Sequence, residues 1–187
     1  MSPSEMLSFP IIRTGRLVLR QMVHEDAGAV FAFKSDREVT SMYGQGPHIS
    51  IDQTDGWIEN SLQGFLQRTS FMWAITRQTD DIAIGGCCFW NIDQESGHAE
   101  IGYELGRGHW GQGFAREALV AILDYGFNEL GFHRVEACPL ANNERSIRLL
   151  KGLGFQHEGV MKERIKFDDD YYDQLFFRML DREWSGG

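Results

Sequence analysis

Four glycines fall within eight positions, at Gly106, Gly108, Gly111 and Gly113, between an alternating stretch and one with helical period. Before them Ala99, Ile101, Tyr103 and Leu105 alternate with Glu100, Gly102 and Glu104, the pattern of a strand with one buried face. After them Phe114, Ala115, Ala118, Leu119, Ile122 and Gly126 share one face of a helix, and Arg116, Glu117 and Asp124 take the other. A loop without side chains brings backbone N–H groups close to a ligand, and the helix behind it turns the positive end of its dipole the same way. Strand, loop and helix entrance together form an anion cradle. The expected guest is a phosphate-bearing cofactor.

The rest of the chain supplies a frame for that cradle. Residues 1–10 read as a flexible end, and Leu17–Leu19, bracketed by Arg16 and Arg20, as a first strand. His24-Glu25-Asp26 opens a helix through Phe33 with acids in its first turn, and Ser50-Ile-Asp-Gln53 caps a second that carries Trp57, Ile58 and Leu62. Phe71–Thr76 and Ile82–Ile92 form a hairpin leading into the central strand. Beyond the central helix come a strand over Arg134–Leu140 and a helix from Asn142-Asn143 stopped by Gly154. A final pair, Gln156–Phe167 and Tyr171–Met179, turns at Asp168–Asp170. The order β, α, α, β, β, β, α, β, α, β, β predicts an α+β fold of three layers, a seven-stranded and mostly antiparallel sheet with helices on its faces. At 187 residues, with no linker, the whole chain (1–187) is expected to be a single domain.

Composition narrows the function. No apolar run approaches the roughly 20 residues of a membrane span, and the first residues lack the basic and apolar regions of a signal peptide. A net charge of −9 argues against nucleic acid as a partner, since that affinity rests on Lys and Arg, but suits a cationic amine. Three cysteines, two adjacent in an apolar run at Cys87 and Cys88, fit buried thiols in a reducing cytoplasm. No metal-ligand spacing occurs. Gly106-Arg-Gly-His-Trp-Gly111 is a literal G-x-G-x-x-G, but the helical pattern starts only after Gly113. No acid stands at a strand end about 20 residues on, and Glu129 lies at a helix end; both points weigh against a dinucleotide fold.

Trp110-Gly-Gln-Gly-Phe-Ala-Arg-Glu-Ala-Leu119 resembles the acetyl-coenzyme-A loop of the GNAT acetyltransferases, Gln/Arg-x-x-Gly-x-Gly/Ala, with Trp110 at the Gln/Arg position as in the RimJ/RimL-like branch. Arg13-Thr-Gly-Arg-Leu-Val-Leu-Arg20 resembles that branch's opening strand, and Ala99–Leu105 its fourth. Asn143-Glu-Arg-Ser146 through Gly154-Phe155 resembles its Asn-x-x-Ser helix, and Glu158 to Trp184 its C-terminal hairpin. The resemblance implies a sheet splayed between its fourth and fifth strands, whose free edges bind pantetheine. It also implies a cofactor site on Leu105, Trp110, Gly111, Gln112, Gly113, Phe114, Ala115 and Asn143. Arg107, His109 and Arg116 either add charge near the phosphates or face solvent around the loop. Acetyl-CoA would be the co-substrate, with no metal.

Acetyl transfer to an amine needs a neutral amine and a protonated or stabilised leaving thiolate. About a tenth of an α-amine is neutral at pH 7, against roughly one lysine in two thousand, so a base matters more for the second. Glu100, matching the family's Glu-Ile-Gly-Tyr glutamate, is the first candidate base, directly or through water. Glu163 on the penultimate strand is the second, and Glu104 reads as structural. Ser146 is the candidate proton donor, with a helix-capping role as its alternative; Tyr103, Tyr171 and Tyr172 remain open for the same task. Asn143 either binds cofactor or caps that helix. The expected acceptor is a primary amine, on a protein N-terminus or a small molecule, met near the loop Tyr43–His48 and Trp57. A homodimer is plausible. The competing readings are a coenzyme-A-binding regulator without chemistry and a nicotinamide enzyme.

Overall fold

The structure, a computed structural model, describes residues 8–186. Its strands are β1 (Ile12–Arg13), β2 (Leu17–Gln21), β3 (Phe71–Arg77), β4 (Ala83–Asp93), β5 (His98–Leu105), β6 (Arg134–Ala137), β7 (Gln156–Phe167) and β8 (Asp170–Leu180). The helices are α1 (Ala27–Lys34), α2 (Arg37–Thr40), α3 (Ile51–Leu66), α4 (Phe114–Asn128) and α5 (Glu144–Gly152). One sheet runs β1-β2-β3-β4-β5-β6-β8-β7, antiparallel throughout except where β5 meets β6. It has eight strands rather than seven, because Ile12 and Arg13 pair with Leu19 and Val18. Two residues are too few to carry an alternation signal.

The sheet is buried on both faces. Met22, Ala74 and Ala83 pack under α1 and α3 with Val30, Phe33 and Ile58. On the opposite face Leu119, Ile122 and Leu123 of α4 and Leu150 of α5 close over Phe89, Ile101 and Val135. Helix α4 lies close because Gly126 has no side chain; a Cβ there would stand 2.7 Å from Phe89 Cζ. The N-terminal end expected to be flexible, residues 1–10, is only partly within the described residues. Residues 1–7 lie outside the described residues, but Phe9 packs edge-on to Phe65 at 4.9 Å and to Trp73 at 5.4 Å, and Pro10 O accepts a hydrogen bond from Trp73 Nε1.

Two elements bearing on the site differ from their expected bounds. Strand β6 stops at Ala137 rather than Leu140, after which Pro139 O accepts from Leu175 N and Leu140 makes an isolated bridge to Gln174. The first helix begins at Ala27, since His24–Asp26 forms a 3-10 turn held by Asp26 Oδ2 accepting from Val23 N at 3.0 Å. Ser50 caps α3 as its sequence predicts, accepting from Gln53 N.

Candidate active site

The parallel contact of β5 with β6 lasts three residue pairs, His98–Arg134, Ala99–Val135 and Glu100–Glu136. Strand β5 then continues to Leu105 while β6 ends at Ala137, so the strands fork and the β6-facing edge of β5 is left unpaired. Unpaired strand edges offer N–H and C=O groups to a ligand. Glu100 stands at the vertex.

A cavity of about 1090 Å3 passes through this fork. At one end it is lined by Leu105, Trp110, Gly111, Gly113, Phe114 and Ala115, at the fork by Glu100, Tyr103, Cys138 and Ser146, and beyond by Lys34, Tyr43, Trp57 and Trp90. The loop is built as an anion cradle. Gly111 and Gly113 hold left-handed φ angles of 73° and 80°, and Gly113 is the N-cap of α4 without a side-chain cap. Among the described residues no acceptor takes the N–H groups from Gly111 to Arg116, so the dipole end of α4 is open to an anion. This donor set fits a pyrophosphate.

The turn between β1 and β2 braces the loop from outside. Arg16 donates from Nη1 to Gln112 O at 3.0 Å and from Nε to Glu117 Oε2 at 2.7 Å, its guanidinium lying over the Phe114 ring, while Thr14 Oγ1 donates to Glu117 Oε1 at 2.6 Å. Trp110 is fixed by Nε1 donating to Leu105 O at 2.8 Å, with Arg145 over its ring at 4.3 Å. Gln112 does not line the cavity; its side chain donates to Gly108 O and stiffens the turn. Arg107 turns away to Asp36 and Glu38, while His109 and Arg116 remain on the cavity wall.

At the fork, Tyr103 Oη and Ser146 Oγ are 2.7 Å apart. Ser146 does not cap α5. Asn143 does, its Oδ1 accepting from Ser146 N at 3.1 Å and its Nδ2 donating to Met42 O at 2.9 Å. Asn143 thus fills its capping role while also lining the cavity. Burial pushes the Tyr103 phenol up to about 12, the bond to Ser146 opposing, so it stays protonated at neutral pH. Burial likewise pushes Glu100 up to about 7, with the Glu136 charge adding to the shift and Cys138 and His98 opposing. Beyond the fork, Lys34 Nζ pairs with Glu104 Oε1 at 2.6 Å, Tyr43 Oη donates to Glu104 Oε2 at 2.7 Å, and Lys34 lies 4.1 Å from the Trp57 ring centroid. Glu104 is therefore a buried wall element.

The second carboxylate is not brought in. Glu163 is exposed, at φ 50° in a β7 irregularity between Met161 and Ile165, where its N–H donates to Asp173 Oδ1. Ile165 lines the cavity instead. Tyr171 and Tyr172 also stand off its wall. Alternation cannot anticipate a bulge, and the bulge removes the geometric basis for Glu163 as a base.

The family model for the acetyltransferase (GNAT) domain matches residues 16–156. The chain belongs to the GNAT family. The chain is 42% identical over 177 residues to an uncharacterized N-acetyltransferase, p20, of Bacillus licheniformis, covering 92% of this chain and 97% of that protein. Solved structures share the fold, among them the following two. A GNAT-family acetyltransferase from Bacillus anthracis superposes with a TM-score of 0.83 at 25% identity, over 93% of this chain and 100% of that one. RimL, a ribosomal L7/L12 alpha-N-protein acetyltransferase in complex with coenzyme A, gives 0.85 at 20% identity, over 91% and 98%. As a GNAT acyltransferase the chain keeps the mixed, forked sheet of α+β type, and its G-x-G-x-x-G lies in a 3-10 turn ahead of the helix rather than opening it.

Several site residues were not legible beforehand. Lys34, His98, Glu136 and Cys138 gave no local signal, because each acquires its meaning from a partner on another strand or helix. Thr14 and Arg16 sat in a family-like motif whose bracing of Glu117, about a hundred residues away, only the fold reveals.

Proposed function

We propose that the chain transfers an acetyl group from acetyl-CoA to a primary amine, by direct attack with both substrates in the one cavity. The observation that carries this reading is the convergence of Glu100 with the Tyr103–Ser146 pair at the fork, between the glycine cradle and the Lys34–Trp57 wall. Acetyl-CoA supplies the thioester carbonyl to be attacked and the thiolate that leaves. The cradle of Gly111, Gly113 and the first turn of α4 binds phosphate, and the free edge of β5 binds the extended arm. Glu100 takes the proton of the amine at its carboxylate, directly or through water. Tyr103 and Ser146 present a hydroxyl proton on the other side, passed along their shared hydrogen bond.

Two features support direct attack and a weakly basic amine. The thiols on the cavity wall are held protonated: burial raises Cys87 well above its usual range and pushes Cys88 and Cys138 up to about 12. A thiol in that state is a poor acyl acceptor. A carboxyl group near 7 is matched to an α-amine near 8, about one unit away, far better than to a lysine about three units higher. The acceptor class is thus a protein N-terminal α-amine, as the name of RimL describes for that enzyme, or a small amine of similar basicity. The test is release of free thiol from acetyl-CoA across a panel of N-terminal peptides, amino acids, polyamines and lysine side chains. Release confined to weakly basic amines supports the assignment; release with none, despite coenzyme A binding, contradicts it.

A further inference from the structure

Glu100 is not the lone carboxylate at the fork. Its Cα partner on β6 is Glu136, the last pair joined before the strands part, and adjacent strands lie about 4.8 Å apart. The two are provided for unequally. Glu136 Oε1 accepts from Arg134 Nε at 2.5 Å, and its Oε2 lies 2.9 Å from His98 Nε2. Arg134 Nη2 reaches on to Glu158 at 2.6 Å, and Glu158 to Arg178 at 3.0 Å, so Glu136 is the inner end of a chain of ion pairs. Glu100 forms no ion pair among the described residues.

We propose that Glu136 is a positioning residue for acetyl transfer: an anion pinned across the fork by Arg134 and His98, it strengthens Glu100 as the base, while His98 on the same strand face tempers that effect. The proposal rests on Glu100 being the base, as argued above. When two carboxylates share a site, the one with cationic partners stays ionised and the other holds the proton. The groups acting on Glu100 are His98 on its own strand, Glu136 across the fork and Cys138 just past the end of β6. Around them β5 also carries Glu104, bound to Lys34 of α1, and β6 carries Arg134; Arg178 of β8 is the register partner of Glu136, Glu158 of β7 pairs with Arg134 and Arg178, Arg164 of β7 acts on Cys138, and the β4 neighbour, Trp90, does not titrate. Burial is the largest influence on Glu100; the Glu136 charge pushes the same way, and His98 pushes back.

The test combines pH profiles of kcat/KM with 13C NMR titration of the Glu100 carboxyl in glutamate-labelled protein without acetyl-CoA, for the parent, Glu136→Gln and His98→Gln. Expected is a downward move of both midpoints by about one unit in Glu136→Gln and a smaller upward move in His98→Gln. Opposite signs are the signature, since loosening of the fork would move both variants the same way. Unmoved midpoints, or shifts of one sign, overturn the proposal; if Glu136→Gln does not fold, the sign in His98→Gln decides. If Glu100→Gln leaves the acid limb in place, the base assignment itself falls. A limb abolished by Glu100→Gln but unmoved by Glu136→Gln overturns only the positioning role.

Discussion

Tyr103 Oη and Ser146 Oγ, 43 residues apart in sequence, share a 2.7 Å hydrogen bond that joins β5 to α5 inside the cavity. The two proton-donor candidates are therefore one unit. Groups that act as a unit lose their effect together. Tyr103→Phe and Ser146→Ala should each lower kcat by about 10²-fold, within the range of general acid catalysis, and the double variant should be little worse than the more damaged single. Thiol-release kinetics at saturating substrates measure this; multiplicative losses would separate the two hydroxyls.

The brace on the cofactor loop predicts a binding defect without loss of fold. Arg16→Ala removes the bonds to Gln112 O and Glu117 and the cover on Phe114. Coenzyme A affinity should fall about tenfold, equal to roughly 1.4 kcal/mol, and the ligand-induced rise in Tm should shrink accordingly. Gly113→Val acts more directly. It forces a β-branched residue to φ 80° with its Cβ 3.4 Å from Arg16 Nη2, and should abolish that rise.

The Lys34–Glu104 pair is nearly fully buried, with side-chain exposures of 6% and 10%. Removing one member of such a pair strands the other's charge. Lys34→Met should destabilise the fold by about 3 kcal/mol, and Lys34→Met with Glu104→Gln should recover part of the loss. Urea denaturation midpoints check both.

Glu100 also predicts a pH dependence of stability. Its proton affinity rises on folding, so the stability it contributes is complete below about 4.5 and is lost as pH rises through about 7. Glu100→Gln should match the parent at pH 4 and be more stable at pH 8, with a Tm higher by about 2–4 °C, the shift roughly 1 kcal/mol gives at this chain length.

Much of this was legible in the sequence where local pattern and function coincide. The glycine density at 106–113, the alternation of 99–105 and the cap at Asn143 each report one element's own geometry, and the structure places all three on one cavity. Legibility ended where partners are distant. Alternation put Tyr103 and Glu100 on opposite faces of β5, which is true, yet the fork opens a cavity through the sheet that both faces line. Glu163 stands off the cavity for a related reason: a bulge in β7 breaks the period that would have aimed it inward. The Glu100–Glu136 pairing depends on the β5–β6 register, which no local spacing encodes.

The most direct test of the account is the kcat/KM pH profile of thiol release for the parent and Glu100→Gln, with an N-terminal peptide as acceptor. The ionised carboxylate is the working form, so parent activity should rise with pH through an apparent pKa near 7. In Glu100→Gln that limb should vanish, leaving a rate lower by at least 10² at pH 8 that follows the amine's own ionisation. A variant that keeps the parent's limb and rate would show that Glu100 is not the base.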